Sequence, residues 1–193
     1  DVVTASGAGG TYARPKYERG QRQARPNMER SLQRWIDDAP RLECDWDALK
    51  TTYRRSLVDL AALRFSPPVI GGGRSLPAAG LPWFMTMFGR DSIFTSLQAL
   101  PFTPELAATT LKALGDWQGS RVDDFRDEDP GRILHEMRYG EMTAFEERPH
   151  SPYFGSADAT PLYVVLLDEY ERWTGDRRLV RDLEQEARAA LNW

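Results

Sequence analysis

One cysteine, Cys44, and two histidines, His135 and His150, are all that the 193 residues offer a soft metal or a disulfide. A single thiol excludes an intrachain disulfide and suits a reducing compartment, so the expected location is cytoplasmic. His-x-x-x-His and Cys-x-x-Cys spacings are missing, and neither a metal site nor a cofactor is expected. No apolar run approaches the roughly 18 residues of a membrane span, which argues against a membrane partner. Positive charge is not in excess either: 25 Lys and Arg against 29 Asp and Glu leave a formal charge of −4. That balance argues against a nucleic-acid partner, because phosphates call for concentrated Lys and Arg. The segment Asp1–Gly10 has neither the positive start nor the apolar core of a signal peptide. A chain that does not begin with Met leaves a removed leader open.

Several catalytic signatures are also missing. Gly71-Gly72-Gly73 is not followed by the Gly-Lys-Ser/Thr of a phosphate-binding loop. Without a Gly-x-Ser-x-Gly elbow, no serine nucleophile can be chosen. The acidic run Asp123, Asp124, Asp127, Glu128 and Asp129 lacks the alternating ligands and terminal Glu of a calcium loop, and reads as a solvated acidic loop. Strand signals are weak, the best extended candidates being Pro67–Ile70 and Ile133–Met137.

What is present is an ordinary globular composition, 41% apolar and 28% charged. Residues 1–25, with Gly7, Gly9 and Gly10 followed by scattered Arg and Lys, read as a flexible linker or tail. Residues 26–193 read as a helical body with helix candidates at 27–38, 46–64, 90–99, 104–118, 159–174 and 178–193. Leu49, Tyr53, Leu57 and Leu60 form one apolar stripe, and Leu162, Leu166, Tyr170 and Trp173 another; both are expected to be core faces. Thr103-Pro104 has the form of a helix start. Thr174-Gly175-Asp176 has the form of a glycine stop followed by a new cap, turning the last two helices into an antiparallel hairpin. The connection from about 119 to 158 is long enough to suggest function.

The densest chemistry lies in Gly80–Leu100, where Trp83 and a run of apolar residues meet Gly89-Arg90-Asp91. A pyranose has an apolar face that stacks on an aromatic ring and hydroxyls that need charged partners, and Trp83 with Arg90 and Asp91 supplies both. Ile93, Leu97 and Leu100 have helical spacing, which places Arg90 and Asp91 at the first turn of a buried helix. The same residues also fit a plainer reading, with Asp91 capping the helix, Arg90 a surface charge and Trp83 core.

Two further blocks, Asp127–Glu141 and Ser151–Tyr163, follow the first in order. Together the three resemble the bacterial amylo-α-1,6-glucosidase (glycogen debranching enzyme-like) family over roughly residues 27–193. The resemblance implies an all-α fold, an (α/α)6 toroid of six helical hairpins of which the chain holds about half. It implies that Trp83, Arg90 and Asp91 bind the terminal sugar. It places His135, Glu136 and Arg138 in a loop bordering the pocket, and Tyr153 and Asp158 at the start of the next inner helix.

The activity implied is inverting, exo-acting α-glucoside hydrolysis, in which an acid and a base stand about 6.5–9.5 Å apart across the sugar. The expected partner is an α-linked oligosaccharide or polysaccharide. Asp91, Glu136, Glu141 and Asp158 are the carboxylates near the matched motifs, and none is assigned as acid or base. The family's catalytic pair lies on later helices, so residues beyond 193 are expected to carry it and a missing C-terminal half to complete the toroid. Helical periodicity running to Trp193 points to the same incompleteness, with an apolar stripe in need of a partner surface. The alternatives are a non-catalytic glycan-binding or scaffold module, or another six-hairpin glycosidase or phosphorylase.

Overall fold

The computed structural model describes residues 28–66, 75–139 and 141–193. The tail, Pro67–Ile70 and the glycine triplet singled out above lie outside the described residues, as does the Glu141 side chain. The chain is mostly helical. Its elements are α1 (Met28–Asp38), α2 (Asp47–Ala62), β1 (Arg64–Phe65), β2 (Leu76–Pro77), α3 (Gly89–Ala99), α4 (Pro104–Asp116), α5 (Glu141–Ala144), α6 (Ala159–Thr174), α7 (Arg177–Asp182) and α8 (Glu184–Asn192). Among the described residues no helix is long and apolar enough to cross a membrane.

The chain divides into two compact units. One comprises the described residues up to Ala62 together with Tyr139–Arg148. In it the Trp35 indole donates to the Leu57 carbonyl at 3.0 Å and the Tyr53 hydroxyl to the Pro40 carbonyl at 2.6 Å, fastening α1 and the following turn to α2. Of the stripe expected on α2, Leu57 is buried and Leu49 is exposed.

The other unit, Leu63–Arg138 with Pro149–Trp193, holds one apolar core built from α3, α4, α6, α7, α8 and the segments between them. Ile93 and Leu100 of the α3 region, Leu111 and Leu114 of α4, and Tyr163 and Leu166 of α6 meet there with Met87, Ile133, Leu134 and Phe154. The 3.6-residue spacing puts the helical members of this set on one face of each helix, while Met87, Ile133, Leu134 and Phe154 come from the segments between. Inside the core the Ser96 and Thr110 hydroxyls pair at 2.9 Å, so two buried polar groups satisfy each other.

Chain punctuation explains the helix ends. Pro104 opens α4 at a position whose N–H needs no helical partner. Gly175 closes α6 in the left-handed region (φ 71°), and Asp176 then caps α7 by accepting from the N–H groups of Arg178 and Leu179 at 3.0 and 3.3 Å.

Several sequence expectations are corrected here. The second helix stops at Ala62 rather than 64, because Arg64–Phe65 pairs antiparallel with Leu76–Pro77 and Phe65 packs on the core. The helix expected over 178–193 breaks at Leu183 (φ −109°, ψ 18°). Leu179, Leu183 and Ala190 all reach the core, so packing overrides an uninterrupted periodicity. Trp173 was expected in the core and is 57% exposed, at the end of a stripe that leaves the interface after Tyr170. Trp193 remains exposed, as does Leu191, with the Trp193 indole donating to Asp129 at 3.3 Å and the Arg132 guanidinium 5.0 Å from its ring.

Candidate functional site

The site is organised by extended backbone rather than by helix. Gly89 N–H donates to the His135 carbonyl at 2.8 Å, Met137 N–H to the Met87 carbonyl at 3.0 Å, and the Thr86 hydroxyl to the Met137 carbonyl at 2.5 Å. Phe88 thereby pairs with Glu136, and Glu136 pairs in turn with Tyr153. Three segments distant in sequence thus lie side by side, and the first runs directly into α3. Gly89 is needed at that junction: a Cβ there would lie 2.0 Å from the Leu134 carbonyl oxygen.

At one end of this ladder the chain closes a tight loop in which Gly80 and Phe84 exchange both backbone hydrogen bonds, at 3.1 and 2.9 Å. Trp83 sits on that loop and is 77% exposed. Its carbonyl accepts from Arg138 Nη1 at 2.6 Å, while Arg138 Nε donates to Glu136 Oε2 at 2.7 Å. The same guanidinium lies 5.2 Å from the Phe84 ring and 4.9 Å from the Phe88 ring, within cation–π range of both. Glu136 is buried, and its second oxygen faces His150 Nε2 at 3.4 Å.

At the helix starts, Arg90 and Asp158 form an ion pair, Nη1 to Oδ2 at 3.2 Å, with both side chains 45% exposed. This joins the first turn of α3 to the residue before α6. The Ser156 hydroxyl donates to Asp158 Oδ1 at 2.5 Å and accepts from Ala159 N–H at 3.3 Å, so it also helps to cap α6. The Ser156 hydrogen bond, and after it Arg90, holds the Asp158 carboxyl below the usual carboxylate range. Asp91 lies in the first turn of α3 and is partly exposed.

His135 and Tyr153 complete the arrangement. The His135 ring stands edge-on to Phe88 and to Tyr153, with centroids 5.8 and 6.1 Å away. Its Nδ1 is buried without a hydrogen-bond partner among the described residues. The hydroxyl of Tyr153 interacts with Asp127, which raises its pKa, and burial raises it further.

Asp127 belongs to the acidic run, in which Asp124 and Asp127 are exposed as expected of a solvated loop while Asp123 and Glu128 are engaged by neighbouring groups. Glu128 is buried and accepts from the N–H groups of Ser120 and Arg121 at 2.9 and 3.4 Å. Asp123 pairs with Arg121 and Arg126 at 3.1 and 3.0 Å. Hydrogen bonding from Arg126 is the leading reason that its carboxyl is shifted below its ordinary value. Arginines interleaved with the acids turn a charge run into a folded loop.

Of the eight site residues named from the sequence, Glu136, Arg138 and the Trp83 backbone meet directly, as do Arg90 and Asp158, while His135 packs on Tyr153. Asp91 makes no ion pair among the described residues. Sequence reading missed Phe84, Phe88, His150 and Ser156. The two phenylalanines look like core in the apolar run, and His150 and Ser156 acquire their roles only when the 150–158 segment folds back. Chemically the segments present an exposed indole at Trp83 and, two residues beyond Phe88 of the ladder, a half-exposed ion pair at Arg90. Glu136 and Asp158 are engaged by neighbouring donors. No protein-family model matches the chain, and no curated protein matches it either.

Proposed function

We propose that this chain carries the terminal-sugar-binding surface of an exo-acting α-glucosidase of the amylo-α-1,6-glucosidase type, built on an (α/α)6 toroid. The observation that carries the reading is Trp83, whose side chain is largely in solvent while its backbone is fixed by Arg138. An exposed indole on an immobilised loop is a platform for the apolar face of a pyranose. Arg90 and Asp158 offer ring hydroxyls a donor and an acceptor already held in place by their mutual contact, so little rotamer freedom is lost on binding. Asp91, in the first turn of the same helix as Arg90, is a further acceptor.

Glu136 and Asp158 are occupied by protein donors, and the reading gives this surface recognition rather than bond cleavage. The same engagement favours, as the second reading, a non-catalytic glycan-binding module. The binding claim is tested by calorimetric titration of maltotriose into wild type and Trp83→Ala. The expected outcome is at least a tenfold loss of affinity, given about 1.4 kcal/mol or more for a stacked ring, with an unchanged unfolding midpoint. Equal affinities, or no sugar binding by the wild type, would overturn it.

A further inference from the structure

We infer that Arg138 is a positioning residue that sets the orientation of the Trp83 platform. The inference rests on the sugar-binding reading and deepens it, making Arg138, expected in a loop bordering the pocket, the support of a sugar contact. Arg138 is largely committed to the protein: Nε to Glu136, Nη1 to the Trp83 carbonyl, and the guanidinium to the Phe84 and Phe88 rings. Its backbone is pinned as well, its N–H donating to the His150 carbonyl at 2.5 Å.

Trp83 needs such a support. The Gly80–Phe84 pairing closes the loop but uses neither the N–H nor the carbonyl of Trp83. The peptide after Trp83 is thus held from both sides, its N–H (that of Phe84) by the Gly80 carbonyl at 2.9 Å and its carbonyl by Arg138, and the bond from Arg138 is the one that ties this peptide, and with it the start of the exposed indole, to the ladder. Arg138 is in turn fixed by Glu136, which is buried, paired through its backbone with Phe88 and Tyr153, and faced by His150. Orientation passes from the ladder through Glu136 and Arg138 to the indole. A lysine cannot replace this arginine, because one compact ammonium cannot hold two acceptors while presenting a flat face to aromatic rings.

The test is a cycle of maltotriose affinities for wild type, Trp83→Ala, Arg138→Met and the double variant. Arg138→Met is expected to weaken binding about tenfold in the wild-type background and less than twofold in the Trp83→Ala background, where no ring is left to orient. A tenfold loss that persists in the Trp83→Ala background would mean that Arg138 contacts sugar directly, and the inference fails.

A second readout needs no ligand. With 5-fluorotryptophan incorporated, the 19F resonance assigned to Trp83 by its loss in Trp83→Phe is expected to shift in Arg138→Met, the other tryptophan resonances keeping their positions. An unmoved Trp83 resonance overturns the inference even where sugar binding is absent, whereas a shifted resonance without sugar binding sinks only the functional reading. Arg138→Lys and Glu136→Gln, which keep bulk and polarity, are expected to move the same resonance. They carry the test should the methionine variant fail to fold by far-UV circular dichroism.

Discussion

Replacing Gly89 by alanine tests the junction on which the site depends. The added Cβ would lie 2.0 Å from the Leu134 carbonyl oxygen, 3.3 Å from its carbon and 3.4 Å from the Ala159 Cβ. The closest ordinary C–H···O contacts run at about 3.3–3.6 Å, so the two segments must separate by more than about 1 Å. The obstacle is backbone, and it is tied in place by the neighbouring Gly89–His135 hydrogen bond at 2.8 Å. Overpacking of this kind costs about 1–3 kcal/mol. A helical alanine returns about 0.5–1 kcal/mol relative to glycine. With no flexible side chain available to yield, we expect a net loss of about 2 kcal/mol. For a chain of this size that is about 4–8 °C in Tm.

The assay is urea unfolding followed by far-UV circular dichroism, with Gly80→Ala as the internal control. No heavy atom lies within 4 Å of a Cβ built on Gly80, so that variant should stay within about 0.5 kcal/mol of wild type. A Gly89→Ala midpoint equal to the wild type's, or a Gly80→Ala variant equally destabilised, refutes the reasoning.

Two further outcomes follow from buried and paired groups. Ile133 N–H donates to the buried Thr160 hydroxyl at 3.0 Å; Thr160→Val strands that donor and should cost about 1–3 kcal/mol, while Thr160→Ser retains most of the stability in the same urea assay. Asp158 has a depressed pKa, so its contribution is complete above the unfolded value of about 3.9 and is lost as pH falls through the lower folded value. The stability difference between wild type and Asp158→Asn should be flat above about pH 5 and shrink below about pH 4. A difference that grows on acidification contradicts this sign.

The helices were legible because apolar residues recur at helical spacing and because Pro104, Gly175 and Asp176 mark their ends in residue types with one dominant local use. The Gly-Arg-Asp triplet was legible as a helix start for a similar reason. Its wiring was not, since Arg90 pairs with Asp158, 68 residues away, rather than with the adjacent Asp91. Neighbours on a helix project about 100° apart, so adjacency in sequence carries no promise of contact. The burial of Glu136 was hidden because its partners, Arg138 and His150, come together only when two extended segments align. The break at Leu183 has no local signal, being set by what α8 packs against.

The hydrogen bond from Arg138 N–H to the His150 carbonyl has a consequence for how this chain tolerates change in length. Residues 139–148 leave the unit that holds the ladder, and the chain re-enters it at Pro149. The exit and the return are held together by that bond, with the Glu136–Tyr153 pairing directly behind it. A change of length in the excursion therefore meets a register already closed by the ladder's own backbone bonds.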